Sequence, residues 1–284
     1  MRTIASLAAA ATLTVVLSAC GGASDSTDGG SGGSGSGGSV SLVAYSTPKV
    51  VYDEIVPAFQ KTEAGKDVEV RTSFGASGDQ SRAVEAGQKA DVVSFSVEPD
   101  VTRLVDAGKV AADWQSGENK GLVTTSVVSF IVRKGNPKGI ETWADLLKPG
   151  IEVVTPSPQT SGAAKWNLLA AYGQAAGGEN DEAAGLAYVE KLLADHVEVQ
   201  PKSGREALQT FLSGDADVLL SYEYEATTAQ KQGEELDYVV PDDTIEIEID
   251  IAATTTASDA GKRFLDYVLS KPAQERFADW GYRP

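Results

Sequence analysis

The chain has little of what enzyme and metal chemistry usually requires. It contains one cysteine, Cys20, and one histidine, His196, among 284 residues. A lone cysteine excludes an internal disulfide, and a His-based triad or a His/Cys metal cluster needs more of these residues. No Gly-Lys-Ser or Gly-Lys-Thr loop occurs, so the chain is not itself a P-loop ATPase. We therefore expect a binding protein rather than an enzyme, with no cofactor and no metal.

Positive charge is also scarce. The chain carries 24 Lys and Arg against 41 Asp and Glu, for a net charge of −17. Without a basic patch, a nucleic-acid partner is not expected. Binding of a small anion remains compatible with this charge, because local amides in a dry site act at short range and salt screens the net charge over about 10 Å.

The chain has no apolar run long enough to span a membrane comfortably. The longest near the N-terminus, Ile4 to Leu17, follows Arg2 and is shorter than the roughly 20 residues a spanning helix needs. It is typical of a signal peptide. Leu17-Ser18-Ala19-Cys20 matches a bacterial lipobox, in which the cysteine is lipidated after cleavage. We expect a signal peptide at 1–19, a lipid on Cys20, a Gly/Ser linker through 39, and attachment to the extracytoplasmic face of the cell membrane.

The body from residue 40 to 284 alternates strand and helix patterns, which predicts α/β lobes with largely parallel sheets. Its length fits two lobes of about 120 residues each. Two long apolar stretches, 123–132 and 245–253, are candidates for strands that cross between the lobes. This division places 40–122 plus 251–284 in lobe 1 and 123–250 in lobe 2.

Other patterns carry weaker expectations. Glu246, Glu248 and Asp250 alternate along one predicted strand, which favours a solvated strand face over a cation site. Glu223 and Glu225 have the residue type for acid–base work, although an ion-pairing or hinge role fits them better. A short strand is also expected at 197–200, and His196 before it should be solvated or face the end of a helix.

Small polar residues follow four predicted strands, each where a helix begins. In the most informative case a strand at 151–155 is stopped by Pro156 and Pro158, and Gly162 then opens a helix. The same arrangement recurs at 44–48, 74–80 and 202–206, and in the last two Ser77 with Gln80 and Ser203 with Glu206 fit capping boxes. The first amides of a helix lack internal partners, and the helix dipole adds partial positive charge there. Four such turns favour an anion site over four ordinary helix caps.

These residues, taken together, resemble the sulfate/thiosulfate-binding proteins of bacterial ABC importers. The resemblance covers nearly the whole body, and its landmarks are 45–49, 74–78, 90–93, 132–138, 145–150, 155–172 and the closing Trp280-Gly281-Tyr282-Arg283-Pro284. It implies a two-lobed, class II periplasmic binding protein fold with hinge-linked mixed sheets. It also implies an oxyanion that is held dry by neutral donors when the lobes close.

The resemblance implies a set of ligand-binding residues by position. They are the amide of Ser46, the amide and hydroxyl of Ser77, the hydroxyl of Ser161, the amides of Gly162, Ala163 and Gly204, and the side chain of Tyr222. Arg205 matches an arginine that supports the loop rather than touching the ligand.

Four departures from the family pattern leave the exact anion open. Ser46 stands where the family usually has Asp, Ala163 replaces a glycine, Tyr222 replaces a tryptophan, and Glu206 brings a negative charge near the site. Thiosulfate, molybdate or another tetrahedral oxyanion therefore remains an alternative to sulfate.

The expected function is capture of sulfate and its delivery, by a monomer, to the permease subunits and ATPase of an ABC importer. A shell made only of donors favours sulfate over hydrogen phosphate, because the phosphate proton would lack an acceptor at a cost of about 1–3 kcal/mol. Two alternatives from other classes stay open: a surface sensing or adhesion protein, and an enzyme on the same fold.

Overall fold

The computed structural model describes residues 25–26, 37–177 and 181–284. The predicted signal peptide at 1–19, Cys20 and most of the linker lie outside the described residues. The strands are β1 Asp25–Ser26, β2 Ser39–Tyr45, β3 Glu69–Gly75, β4 Val92–Phe95, β5 Leu122–Arg133, β6 Val153–Val154, β7 Val218–Tyr222, β8 Leu236–Val239 and β9 Glu246–Ala253. The helices are α1 Lys49–Gln60, α2 Ser77–Glu85, α3 Glu98–Asp106, α4 Gly162–Ala176, α5 Glu182–Asp195, α6 Gly204–Ser213, α7 Glu223–Lys231, α8 Asp259–Val268 and α9 Lys271–Asp279, with a 3₁₀ turn at Trp143–Leu147.

The strands form one continuous path of neighbours, and β5 changes its pairing partners part-way along its length. Strand order is β1-β3-β2-β4-β9-β5-β7-β6, and β8 also pairs with β5. The first half of β5 pairs with β9 as far as Val127, and its second half pairs with β7 and β8 from Val128 or Phe130 onward. A single strand therefore belongs to both halves of the sheet.

In each half of the sheet, the parallel strands end at one shared edge. β2 runs parallel to β3 and β4, and β6 runs parallel to β7. The carboxyl ends of parallel strands meet at the same edge, which is where α/β proteins bind ligands. Ser46, Ser77 and Ser96 follow the ends of the first group, and Tyr222 is the last residue of β7.

The strands that carry this edge are buried on both faces. All four residues of β4 and all five of β7 are buried, as expected for central strands covered by helices on each side. One face of β4 packs on Val101 and Leu104 of α3, while Phe211 of α6 and Ala226 of α7 cover the second half of the sheet. This covering holds the strand ends, and the turns after them, in fixed positions.

Three sequence expectations are corrected by the structure. The sheets are mixed rather than largely parallel, because β5 and β9 run antiparallel to every strand they pair with. Residues 197–200 form no strand: the flanking carbonyls of His196 and Pro201 each accept one bond, from Val153 and Ser157, without a ladder between them. His196 does lie at the end of α5, but it is buried, and its Nδ1 lies 2.9 Å from a backbone carbonyl.

The acidic strand face is only partly solvated. Glu246 and Glu248 are exposed, whereas Asp250 is buried because β9 at that point lies between β4 and the start of β5. Burial raises the pKa of Asp250 to about 8, with further upward contributions from Glu98, Glu248 and Asp100. The expectation of a solvated face is therefore wrong for Asp250.

Candidate functional site

Four helix N-termini meet where the two halves of the sheet face each other. The Gly78 amide, in the first turn of α2, donates to the carbonyl of Thr160 just before α4 (2.8 Å). The amide of Arg205, in the first turn of α6, donates to Ser46 Oγ (3.4 Å) before α1. The turns that the sequence singled out separately are thus joined in pairs, one from each half of the sheet.

The predicted donor amides are buried and uncommitted. Ser46, Ser77, Gly162, Ala163 and Gly204 are all buried. Within the described residues none of their amides donates to a backbone carbonyl. Amides at the start of a helix point outward along its axis and carry the positive end of the dipole. Ser77, Gly162, Ala163 and Gly204 are such groups, whereas Ser46 lies on the turn that leads into α1, and amides of this kind are suited to an anion.

The hydroxyl of Ser77 has a different role from its amide. It donates to Oδ2 of Asp100 (2.7 Å) and accepts from the amide of Ser96 (3.2 Å). Asp100 is fully buried, and its other oxygen lies 3.4 Å from the ammonium group of Lys165. Ser77 therefore offers a ligand its amide, while its hydroxyl is committed to a paired carboxylate.

The hydroxyls of Ser161 and Tyr222 are available instead. Ser161 is the N-cap of α4, yet its side chain makes no capping hydrogen bond. The Tyr222 hydroxyl is fully buried and has no hydrogen-bond partner in the described part of the chain. Burial raises the pKa of Tyr222 well above its usual value, so the phenol keeps its proton at neutral pH and can donate.

Arg205 bonds the turn that carries Ser46, and its role at the site stays a prediction of the family resemblance. Its guanidinium Nη2 donates to the carbonyl of Ser46 over 2.8 Å, and Arg205 is one of the groups that act on Glu225. Burial raises the pKa of Glu225 to about 7, although the hydrogen bond from Ser221 and the charge of Arg205 both lower it. Ser221, in β7 four residues before Glu225, donates a hydrogen bond from its hydroxyl to the Glu225 carboxylate.

Two glycines allow the backbones to approach closely. A Cβ on Gly162 would lie 2.0 Å from Ser96 Oγ, and a Cβ on Gly204 would lie 3.0 Å from Thr47 Cγ2 and 3.3 Å from Glu225 Oε2. Gly162 therefore has a steric reason to be glycine, and Gly204 leaves little room for a side chain. Ala163, which replaces a glycine of the family pattern, fits as an ordinary buried residue of α4.

Two acidic residues that are adjacent in sequence to the predicted shell, Glu206 and Glu223, are turned away from it. Glu206 is exposed, and its carboxylate accepts from the amide of Lys202 (3.3 Å). Glu223 pairs with Arg283 (2.7 Å), which agrees with the expected ion-pairing role. Neither side chain therefore supplies a carboxylate acceptor to the site.

Of the two predicted capping boxes, only one of the four expected hydrogen bonds is present. Ser203 caps α6 by accepting from the amide of Glu206 (3.2 Å). The Glu206 side chain, however, bonds Lys202 rather than the amide of Ser203. Ser77 is the first residue of α2 and not its cap, because its hydroxyl is drawn to Asp100.

Sequence reasoning missed a fifth turn at the same edge. Ser96 directly follows β4, and Pro99 and Asp100 lie in the first turn of α3. The carbonyl of Ser96 accepts from the indole of Trp166 in α4, so this turn also spans the two halves. The signal was present in the sequence: a buried strand, two serines and a proline at a helix start.

Two properties of the described residues bear on other classes of protein. No group of three or more His, Cys, Asp or Glu side chains there is arranged to hold a metal ion. Among the helices of this part of the chain, none combines the length and the hydropathy needed to cross a membrane.

Comparisons with known proteins agree with this geometry. The profile of the family described as bacterial extracellular solute-binding protein matches residues 40–283. The sulfate-binding protein of Synechococcus elongatus is 38% identical, in an alignment that covers 100% of this chain and 83% of that protein. The thiosulfate-binding protein of Escherichia coli K12 is 32% identical, covering 84% of this chain and 75% of the other.

A solved structure extends the comparison to three dimensions. The sulfate-binding protein SubI from Mycobacterium tuberculosis H37Rv superposes with a TM-score of 0.84 at 47% identity, covering 87% of this chain and 86% of that one. The expected two-lobed periplasmic binding protein fold is thereby confirmed, as is the expectation of a binding protein rather than an enzyme. The chain belongs to the bacterial extracellular solute-binding protein family.

Proposed function

We propose that this protein captures sulfate outside the cytoplasmic membrane and delivers it to an ABC-type sulfate importer. The observation that carries the proposal is a set of five buried amides that donate to no backbone carbonyl among the described residues, on turns hydrogen-bonded in pairs across the two halves of the sheet, together with the buried, unpartnered hydroxyl of Tyr222. The likeness to sulfate-binding and thiosulfate-binding proteins supports a ligand from the class of tetrahedral sulfur oxyanions.

Selectivity for sulfate follows from the direction of the hydrogen bonds. At neutral pH sulfate only accepts hydrogen bonds, whereas hydrogen phosphate must also donate one. Two buried carboxylates beside the proposed shell already accept hydrogen bonds: Asp100 from Ser77, with Lys165 next to it, and Glu225 from Ser221. A phosphate proton would therefore remain unpaired, at a cost of about 1–3 kcal/mol.

Closure of two lobes would isolate the anion from water. We keep the division into 40–122 plus 251–284 and 123–250, with the crossing strand β5 changing partners between Val127 and Val128. In this division the bonds from Gly78 to Thr160 and from Arg205 to Ser46 join the lobes. Such bonds would stabilise a closed form and break on opening.

The place of action is extracytoplasmic, as in the family as a whole. The lipobox before Cys20 supports a lipid anchor after cleavage of 1–19, and the Gly/Ser linker would let the body move above the membrane. The partners in this proposal are the permease subunits and ATPase of the importer, which a monomer would meet in its closed form.

Calorimetric titration of the purified protein tests the proposal. Sulfate, thiosulfate, molybdate and phosphate are added separately in a buffer free of these anions. We expect one sulfate per chain with a Kd near micromolar, about −8 kcal/mol, and no binding of phosphate. Tighter binding of thiosulfate or molybdate would mean that another tetrahedral oxyanion, and not sulfate, is the ligand. If none of the four anions bound, the transport function would be overturned.

A further inference from the structure

Tyr224 bonds the turn that carries Ser46 from the other half of the sheet. It is the second residue of α7 and is buried. Its hydroxyl donates to Tyr45 Oη over 3.1 Å and lies 2.5 Å from Thr47 Oγ1. A phenol has one proton to donate, so Thr47 is the donor in the second bond. Tyr45 and Thr47 flank Ser46 in the chain, and one oxygen atom therefore bonds both neighbours of a predicted ligand-binding amide.

The ring of Tyr224 is fixed on two sides. It stacks on the ring of Tyr282, with the centroids 3.7 Å apart and an angle of 14° between the planes. The ring of Tyr222, two residues earlier, meets it edge-on with the centroids 5.3 Å apart. Tyr222 and Tyr282 are themselves buried, so the phenol oxygen of Tyr224 has little freedom to move.

The closing segment after α9 fixes the start of α7 to the crossing strand. Arg283 forms an ion pair with Glu223, the first residue of α7 (2.7 Å). The backbone of Arg283 in turn exchanges two hydrogen bonds with Thr125 of β5 (2.6 and 3.1 Å). The start of α7, which carries Tyr224, is therefore anchored to the strand that both halves of the sheet share, while the Tyr224 hydroxyl reaches the turn after β2.

Thr47 connects this hydroxyl to a second predicted donor. A Cβ added at Gly204 would lie 3.0 Å from Thr47 Cγ2, so the Thr47 methyl packs against the first residue of α6. The amide of Gly204 is one of the buried amides that donate to no backbone carbonyl among the described residues. The Thr47 side chain thus contacts α6 with its methyl group and α7 with its hydroxyl.

We propose that Tyr224 is a positioning residue of the anion site, whose phenol oxygen holds Tyr45 and Thr47 so that the Ser46 amide between them points at the bound oxyanion. This inference rests on the proposed function and adds to it a residue that does not touch the anion. Because Tyr224 belongs to α7 and Ser46 to the turn after β2, the two bonds also join the halves of the sheet around the site. Their loss should let the site release its anion more readily.

Tyr224→Phe in the full chain tests this role, because it removes the oxygen and keeps the ring. We expect the sulfate Kd in calorimetry to rise about tenfold, which is about 1.4 kcal/mol. In stopped-flow measurements the rise should come from faster dissociation at an unchanged association rate, since changes of this kind act mostly on dissociation. A residue that only stabilised the fold would lower the melting temperature without sulfate and leave both rates as they are.

Tyr52→Phe is the matched control. Tyr52 is a buried tyrosine of α1 whose ring packs edge-on against Phe277, but its hydroxyl has no hydrogen-bond partner in the described part of the chain. We expect Tyr52→Phe to keep the Kd and the dissociation rate of the unmodified protein. Equal losses of affinity in both variants would overturn the inference, because the bonds to the Ser46 turn would then not be the cause.

Thr47→Val tests the bond itself, because it removes the hydroxyl and keeps a branched side chain. We expect it to weaken sulfate binding. The double variant with Tyr224→Phe should match Tyr224→Phe alone, because both substitutions remove the same hydrogen bond. Effects that add would overturn the inference, since the two side chains would then act independently.

The outcomes separate this inference from the function on which it rests. If the unmodified protein binds none of the four anions, the proposed function fails and the inference fails with it. If it binds one of them, the variants are compared with the anion that it binds most tightly. Tyr224→Phe with an unchanged Kd and dissociation rate would then overturn the inference alone.

Discussion

Arg205 bonds Ser46 in two places, once at its backbone and once at its side chain. Its guanidinium donates to the Ser46 carbonyl over 2.8 Å, and its own amide donates to Ser46 Oγ over 3.4 Å. The carbonyl and the amide of Ser46 both belong to the short turn between β2 and α1. The direction in which the Ser46 amide points is therefore set by a residue that belongs to the other half of the sheet.

Replacing Arg205 should weaken sulfate binding without removing a ligand contact. Arg205→Lys keeps the charge but loses the planar, multi-donor geometry of the guanidinium. We expect Kd in calorimetry to rise about tenfold, or about 1.4 kcal/mol. Arg263→Lys is the control, since Arg263 also donates to a backbone carbonyl, that of Ala64 (3.0 Å), but lies on α8. Equal affinities in both variants would show that Arg205 does not position the site.

Ser161 should matter for binding and not for stability. The Ser161 hydroxyl makes no capping hydrogen bond in α4, so in the proposed site it donates to the anion. Ser161→Ala should remove this charge-assisted bond and cost about 1–3 kcal/mol of binding free energy. The free energy of unfolding without sulfate should barely change. Ser258, which caps α8 by accepting from Gly261 (3.1 Å), provides the opposite case. Ser258→Ala should lose about 1 kcal/mol of stability and keep its sulfate affinity; urea titration and calorimetry together check both variants.

A methyl group at Gly162 should block the site. The added Cβ would lie 2.0 Å from Ser96 Oγ and 3.0 Å from Val97 Cγ1, so α4 could not approach the turn after β4. We expect Gly162→Ala to weaken sulfate binding about a hundredfold or more, about 2.7 kcal/mol. Gly173→Ala on the same helix has no atom within 4 Å of its new Cβ. It should bind normally and gain up to about 1 kcal/mol of stability, and normal binding by Gly162→Ala would contradict the closed geometry.

Asp250 should make the protein less stable as the pH rises. Its folded-state pKa of about 8 lies above the ordinary value of 3.8, so between these values the folded chain holds a proton that the unfolded chain has lost. The free energy of unfolding therefore falls with increasing pH across this window, by up to about 1.4 kcal/mol per unit. Asp250→Asn should flatten that slope in urea titrations from pH 5 to 8. Glu246→Gln, on the exposed face of β9, should leave it as it is, and an unchanged slope in Asp250→Asn would refute the assignment.

The strand and helix pattern was readable because each element is locally consistent. The β-branched run of β5 and the small polar turn before α4 predict their elements directly, and the structure places α4 at the expected residues 162–176. The strand expected at 197–200 failed because a short apolar run needs a neighbour to pair with. No sequence pattern reveals whether a neighbour is available.

The same limit applies to side chains whose partners are distant in sequence. Asp250 looked like one member of an alternating acidic face, and only its pairing with β4 buries it. The Ser77 hydroxyl fitted a local capping box, yet it bonds Asp100, 23 positions away. Glu225 is buried for a comparable reason, and nothing in its local sequence distinguishes it from an exposed helix residue.

What the sequence determined by itself was the chemical class of the site. Backbone amides at helix N-termini require only a strand, a turn of small residues and a helix, and all three are encoded locally. The tertiary structure decided which hydroxyls donate, which carboxylates are paired and how closely the two halves approach. Those properties depend on contacts between residues far apart in the chain, and hydrogen-bond direction and burial exist only once these contacts are made.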